Sequence, residues 1–544
     1  MKYIILSCVL LLNALLFTQD CLGQAGSSQT AFLWGTESQP MLVTGDSGLA
    51  DDLNGFMDII NQHLKTKYVK VRLRLPMDMD ADFQPRFCVQ RGATYSAASS
   101  ACSQGGVVAY DLDKAAKIFK ENGWSMIPMF SHAGSPGNNP TIDDAHIDRY
   151  GDFVEWFVDR YKEDADIRYI ELVNAPEFTW RGTAEQLLSL NNKTYERLKQ
   201  KHPELKIGTP GFEYFFDSVE SQRGINHQVF RDYFLEHDAK FDFWAFHGYP
   251  ARGSGMRDFY PPNKTAQKDK YAGIFGIAEL RKKMDQLGWN DRGIIDAEHT
   301  GILPAGSFDK EADRQNAVYM VQEMLLKRTL KVDGKNVLDG IIALKVVPRC
   351  ELAGPMMGGG GPSSSSEGGM MGPGGPSSSS GGRMMGPGGP IGGRNKMRPI
   401  GPPRQRPQQQ EQGSKWGGEC AWGSLYSNGS VSLTAKAVGK LMTLLSEYEH
   451  VAHVSGRFDN ENEVWMEKFA SKNKELYICF KPFKYRSGSG LVFDSSPSAY
   501  SFELNYTPST IEEADIQGNV KSLSVKSKLS LQVDNSPKYI FVTK

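Results

Sequence analysis

SMIPMF (125–130), HIDRYGDFVEWFVDRYK (146–162) and IRYIELV (167–173) form a short apolar run, a longer amphipathic one and a second short apolar run. In the middle stretch Ile147, Tyr150, Phe153, Val154, Phe157 and Tyr161 recur at helical spacing, so one face of a helix is apolar. The flanking runs have strand length and enough apolar residues to be buried. Strand, helix, strand is the unit from which parallel sheets are built.

Outward from this unit the alternation continues. YVKVRLRL (68–75) alternates with period two, as a strand does. Its Val69, Val71, Leu73 and Leu75 are expected to face helices, which places Lys70, Arg72 and Arg74 toward the interior. Residues 31–35, 205–209, 241–247, 294–298 and 338–347 read as further strands. Residues 54–64, 113–122, 183–201, 226–236, 268–287, 310–330 and 431–447 read as helices, with Gly288 where a C-cap belongs. Eight strands alternating with eight helices predict an α/β fold, a (β/α)8 TIM barrel.

Two regions depart from the pattern. Residues 354–415 repeat Met-Met at 356, 370 and 384 among Gly-Gly-Pro and Ser-Ser-Ser-Ser, then become rich in Arg, Pro and Gln. This low-complexity composition buries too little apolar surface to offset chain entropy, so a disordered insert is expected. It carries seven Lys or Arg against two Glu, a surplus of +5 in a chain of net charge −1, which leaves −6 elsewhere. A cationic arm of this kind suits weak contact with anionic matrix polymers. Ser365-Ser366-Glu367 also has the Ser-x-Glu spacing of secretory phosphorylation. Residues 451–544 show short alternating runs at 476–480, 491–493, 522–525 and 529–533, which predict a C-terminal β-sandwich.

The start of the chain reads as a signal peptide over 1–23: Lys2, the apolar run 3–17, then Cys21-Leu22-Gly23 before Gln24. A secreted, extracellular protein is expected, with the barrel over 24–353 and 416–450. The charge balance argues against nucleic-acid binding, and no later apolar run reaches membrane-spanning length. Five cysteines remain after the signal; Cys88–Cys102 and Cys350–Cys420 are the expected disulfides, leaving Cys479 as a core residue. Sequons at Asn192, Asn263, Asn428 and Asn505 are candidate glycosylation sites. No zinc, P-loop or dinucleotide motif is present, so neither metal nor cofactor is expected.

Sites in such barrels form where strands end. The fourth strand ends Glu171-Leu-Val-Asn174-Ala175-Pro176-Glu177, the fifth Lys206-Ile-Gly-Thr-Pro-Gly211, the sixth His247-Gly248-Tyr249 and the seventh Ile295-Asp296-Ala297-Glu298-His299. In these residues the chain resembles the clan-A retaining glycoside hydrolases over roughly residues 30–450. The β-xylosidase and α-iduronidase group is nearest, with β-agarases close by. The resemblance implies a nucleophile at Glu298, a tyrosine hydrogen-bonded to it at Tyr249, and a sugar-hydroxyl contact at Asn174. His247, Arg72 and Arg74 are further candidates for the same cleft, and Glu171, Asp296 and Glu298 have the strand phase to pair with its cations.

The family pattern on the fourth strand is Asn-Glu-Pro, and here it is Asn174-Ala175-Pro176. The acid/base position is therefore a methyl group, which transfers no proton. Glu177 is the candidate substitute acid. The eighth strand ends Lys345-Val346-Val347-Pro348, without the tryptophan platform of many clan members; Trp34, Trp180 and Trp422 are the alternatives. These departures favour a catalytically impaired, extracellular glycan-binding or matrix protein, with a polysaccharide as partner and a biomineral matrix as one setting. An active retaining hydrolase with a relocated acid, or a protein-binding scaffold, are the alternative readings.

Overall fold

The computed structural model describes residues 32–38, 57–75, 83, 86–90, 107–132, 144–180, 182–213, 228–248, 273–299, 310–346, 423–424, 426–427, 430–456, 463–486, 490–493 and 495–544. The signal segment, the insert, Cys102, Cys350, Cys420, Trp422 and Tyr249 lie outside them, as do the side chains of Cys88 and Arg74.

Eight parallel strands close into a barrel. They are β1 (Leu33–Ser38), β2 (Tyr68–Leu75), β3 (Ser125–His132), β4 (Tyr169–Val173), β5 (Lys206–Gly208), β6 (Phe243–His247), β7 (Gly293–His299) and β8 (Gly340–Val346). Each pairs with the next, and β1 pairs with β8 from Leu33↔Gly340 onward, so no barrel edge is left open. Helices follow the strands in turn. They are α1, a single π-helical turn (Ile59–Leu64), α2 (Leu112–Asn122), α3 (Asp144–Tyr161), α4 (Ala184–Lys201), α5 (Gln228–Glu236), α6 (Gly273–Gln286), α7 (Lys310–Thr329) and α8 (Leu433–Glu447). This is the (β/α)8 arrangement read from the sequence. Local chemistry sets the helix ends: Asp111 caps α2, Thr183 and Gln186 form a reciprocal capping box on α4, and Gly288 takes φ 78° just past α6.

The period of two divides each strand between two environments. Val69, Val71 and Leu73 pack outward against helices, as expected. The inward series begins apolar: Leu33, Ile127, Phe243, Ala245, Ile295, Ala297 and Ile342 fill the lower barrel with Tyr68 and Tyr169. Toward the C-terminal ends the same series becomes ionisable, with Glu37, Lys70, Glu171, His247 and Glu298 all buried. That change along each strand positions the site. The sequence reading missed a hairpin of Arg86–Gln90 with Val107–Asp111, inserted between β2 and α2.

The C-terminal sandwich has a six-stranded antiparallel sheet of β9 (Glu449–Ser455), β10 (Trp465–Ser471), β11 (Lys474–Phe480), β13 (Thr510–Ala514), β14 (Val520–Ser522) and β16 (Lys538–Thr543). A two-stranded layer of β12 (Ser498–Glu503) and β15 (Lys528–Val533) covers one face. Strand β11 shows the two sides: Leu476, Ile478 and Phe480 join the barrel's core, while Tyr477 and Cys479 meet Leu529, Leu531 and Val533. Cys479 is buried and free, as expected. The strand expected at 522–525 lies instead at Val520–Ser522. Gln322 of α7 donates to the carbonyl of Asn535 at 2.6 Å and ties the sandwich to the barrel.

The two described sequons differ. Asn505 is exposed in the connection after β12. The Asn192 Nδ2 donates to the Asp238 carbonyl at 2.8 Å, and its Oδ1 accepts from the Lys240 amide at 2.9 Å, so both arms are engaged. On expression through a eukaryotic secretory pathway, glycopeptide mapping should find Asn505 occupied and Asn192 bare; glycan on Asn192 alone would contradict this packing.

Candidate active site

Lys70 projects from β2 into the barrel and is sealed from solvent. Its Nζ lies 2.8 Å from Glu171 Oε2 and 3.7 Å from Glu298 Oε1, and donates to the Ala297 carbonyl at 2.9 Å. Two residues on, Arg72 Nη2 lies 2.6 Å from Glu298 Oε1 and 3.6 Å from Glu37 Oε1. From β6, His247 places Nε2 3.0 Å from Glu171 Oε1 and Nδ1 3.4 Å from Glu298 Oε2. Both ring nitrogens therefore face carboxylate oxygens, which only accept, and the ring is an imidazolium. Burial alone would lower its pKa, but Glu298 and Glu171 outweigh burial and the repulsion of Lys70, raising it to about 10.

The cluster thus sets Lys70, Arg72 and His247 against Glu37, Glu171 and Glu298. Buried charges are tolerated when paired and hydrogen-bonded in this way. Arg72 is the member that reaches solvent, at 23% side-chain exposure against 2% for Glu298. Glu298 accordingly presents a carboxylate held from three directions, beneath the C-terminal mouth of the barrel.

Strict alternation predicts that Asp296 and Glu298 share one face, and this is corrected by the structure. The β7–β8 register shifts between Asp296 and His299, so β7 carries one extra residue there. The bulge turns Glu298 inward and leaves Asp296 outward, where its Oδ2 meets Lys327 Nζ of α7 at 2.6 Å. No simple count of alternating residues reveals such an insertion.

At the end of β4, Asn174 bridges Gly211, and the Ala175 amide donates to the Gly211 carbonyl at 3.0 Å. Ala175 is buried with φ 40° and ψ 64°, a left-handed conformation that costs a non-glycine residue about 1–2 kcal/mol. Gly211 has a definite steric role. A Cβ there would lie 2.2 Å from His247 Nε2 and 2.3 Å from Glu171 Oε1, splitting that pair. The sequence reading named neither this role nor that of Glu37, although Glu37 continues the inward series Leu33, Gly35. Glu177 sits in the one-turn helix Pro176–Thr179 and is buried, rather than lying on an open loop. Trp34 and Trp180 both belong to the hydrophobic core, and the Trp180 indole donates to the Thr183 carbonyl, so neither offers an exposed sugar platform. Among the described residues no group of three or more His, Cys, Asp or Glu side chains is arranged to hold a metal ion.

No family model and no curated protein sequence matches this chain. Solved structures do. A family 39 glycoside hydrolase from Bacteroides cellulosilyticus is similar at 13% identity and TM-score 0.57, over 95% of this chain and 81% of its own. A glucosidase from Croceicoccus marinus aligns at 13% identity and TM-score 0.53, over 94% and 96%. A monomeric β-xylosidase from Caulobacter crescentus aligns at 10% identity and TM-score 0.52, over 94% and 96%. The likeness establishes the fold, the (β/α)8 barrel of the clan-A glycoside hydrolases.

The cluster has a measurable pH signature. The folded pKa of His247 lies above the ordinary 6.5, so its stabilisation is complete below that value and is lost as pH rises through about 10. Urea midpoints should therefore fall from about pH 6.5 to 10. Lys70→Met, which removes the shared cation, should cost about 3–5 kcal/mol. A midpoint independent of both changes would show that the ion pairs do not form.

Proposed function

We propose that this protein is a secreted glycan-binding protein on a glycoside-hydrolase barrel, impaired in hydrolysis and acting in an extracellular matrix. The observation that carries the reading is Ala175, buried at the end of β4 where the resembling enzymes place their acid/base glutamate, in a barrel that keeps Glu298 ion-paired. A retaining mechanism needs two carboxyls about 5–5.5 Å apart, one to attack and one to protonate the leaving oxygen. Glu298 can fill the first role. Glu171 does not fill the second: it lies deeper, is sealed from solvent, and is paired with both Lys70 and His247.

A site of this kind binds sugar with its polar groups and stops short of cleavage. The structural neighbours support a carbohydrate ligand, since their names are those of glycosidases. Asn174, Arg72 and Tyr249 are assigned to sugar contact, and residues 354–415 to contact with anionic matrix polymers. The latter assignment is supported by the insert's composition and its surplus of positive charge.

The kinetic test compares natural oligosaccharides with aryl glycosides whose leaving groups need no protonation. The unmodified protein should leave natural oligosaccharides intact and release activated aryl groups slowly, faster with azide. Ala175→Glu should raise turnover of the natural substrate by about 10²–10⁴-fold. Natural turnover by the unmodified protein that disappears in Glu298→Gln would overturn the proposal in favour of an active hydrolase. Silence on a glycan array, with a protein co-purifying, would favour a scaffold instead.

A further inference from the structure

Behind β7, on the face opposite Glu298, lies a second buried polar network. Asp296 and His299 point outward from the strand on either side of its bulge, and α7 answers them with Glu323 and Lys327. Lys327 Nζ lies 2.6 Å from Asp296 Oδ2, 2.9 Å from Glu323 Oε1 and 3.1 Å from His299 Nδ1. His299 Nε2 lies 3.1 Å from Glu323 Oε2, which closes the ring of contacts. All four side chains are buried.

The network also grips the end of β6. The Gly248 amide donates to Asp296 Oδ1 at 3.0 Å, and the Gly248 carbonyl lies 2.9 Å from His299 Nδ1 and 3.4 Å from Lys327 Nζ. The approach is so close that a Cβ on Gly248 would stand 2.6 Å from Asp296 and 2.7 Å from Lys327. Gly248 is the residue after His247, and Glu298 stands between Asp296 and His299. Two members of the barrel cluster are thus each flanked by a residue bound to α7.

We propose that Lys327 and Glu323 are positioning residues, which fix the β7 bulge and the end of β6 so that Glu298 and His247 meet inside the barrel. An extra residue in a strand gives up ladder bonding and needs other contacts to define its geometry. Here the outward side chains on both sides of the bulge are anchored to two residues one helical turn apart on a packed helix. The helix itself is held from outside by Gln322, the neighbour of Glu323, which donates to the Asn535 carbonyl of the sandwich. The electrostatics agree. Burial would raise the Glu323 pKa, but His299 and Lys327 bring it down to about 2. Burial would lower that of Lys327, but Asp296 and Glu323 hold it above its ordinary value. Its functional meaning rests on Glu298 facing the glycan, but its structural content does not.

The test therefore uses two readouts: the titration of His247, followed by NMR in protein labelled at the imidazole nitrogens, and the affinity for an oligosaccharide found by array. Lys327→Met should move the His247 titration down by at least about one pH unit, because the nearby Glu298 carboxylate is its main source of elevation. It should also weaken oligosaccharide binding by about tenfold to a hundredfold, the usual effect of about 1 Å of displacement. Glu323→Gln, which keeps the shape and one hydrogen bond, should do the same to a smaller degree and decides the matter if Lys327→Met does not fold. Glu475→Gln, in a buried cluster of the sandwich, controls for general loss of stability and should move neither readout. A folded variant with His247 and binding both unchanged would overturn the proposal. A displaced His247 in a protein that binds no oligosaccharide would uphold the positioning role while refuting the proposed function.

Discussion

One ammonium group, Lys70 Nζ, lies between carboxylates from two other strands of the barrel. Removing three cations and three anions from water is costly, and the cost is recovered only while every partner stays in place. The arrangement therefore constrains β1, β2, β4, β6 and β7 together: a shift of any one exposes a buried charge to an apolar wall. An apolar filling of similar volume would serve stability at least as well. The polar layer is thus not something the barrel fold itself requires, whereas a carbohydrate cleft does require it. The left-handed Ala175 and the close approach of Gly211 to the His247–Glu171 pair belong to the same layer.

Much of this was legible in the chain. The alternation of 68–75 placed Lys70 and Arg72 inside, and they are inside. The strand and helix pattern gave eight units in the correct order, because a parallel barrel repeats one strong signal eight times. What escaped was local and geometric. The bulge in β7 reversed Asp296, since a single added residue inverts the phase of all that follows. The network on α7 escaped for another reason. Glu323 and Lys327 are an i,i+4 charged pair lying among Val318, Val321, Met324 and Leu325, all buried. A charged pair inside an apolar stripe is the signal that could have found it. Gly211 was visible as a glycine, but the contact that demands glycine becomes clear only when β6 is alongside.

The functional reading follows from an asymmetry between two strand ends. On β7 the carboxylate is kept, oriented by a bulge and held by Arg72, Lys70 and His247. On β4 the acid/base position carries a methyl group on a buried, strained backbone. Attack without protonation of the leaving oxygen leaves a sugar bound and its linkage intact, so the same cleft becomes a recognition surface. Barrel, sandwich and cationic insert then serve one purpose, to hold carbohydrate in an extracellular setting.

The most direct measurement is a crystal structure of the unmodified protein after prolonged soaking with a natural oligosaccharide. The account predicts an uncleaved chain across the mouth of the barrel, its glycosidic oxygen facing Ala175 and its anomeric carbon near Glu298. A shortened sugar, or Glu177 within hydrogen-bond distance of that oxygen, would contradict it.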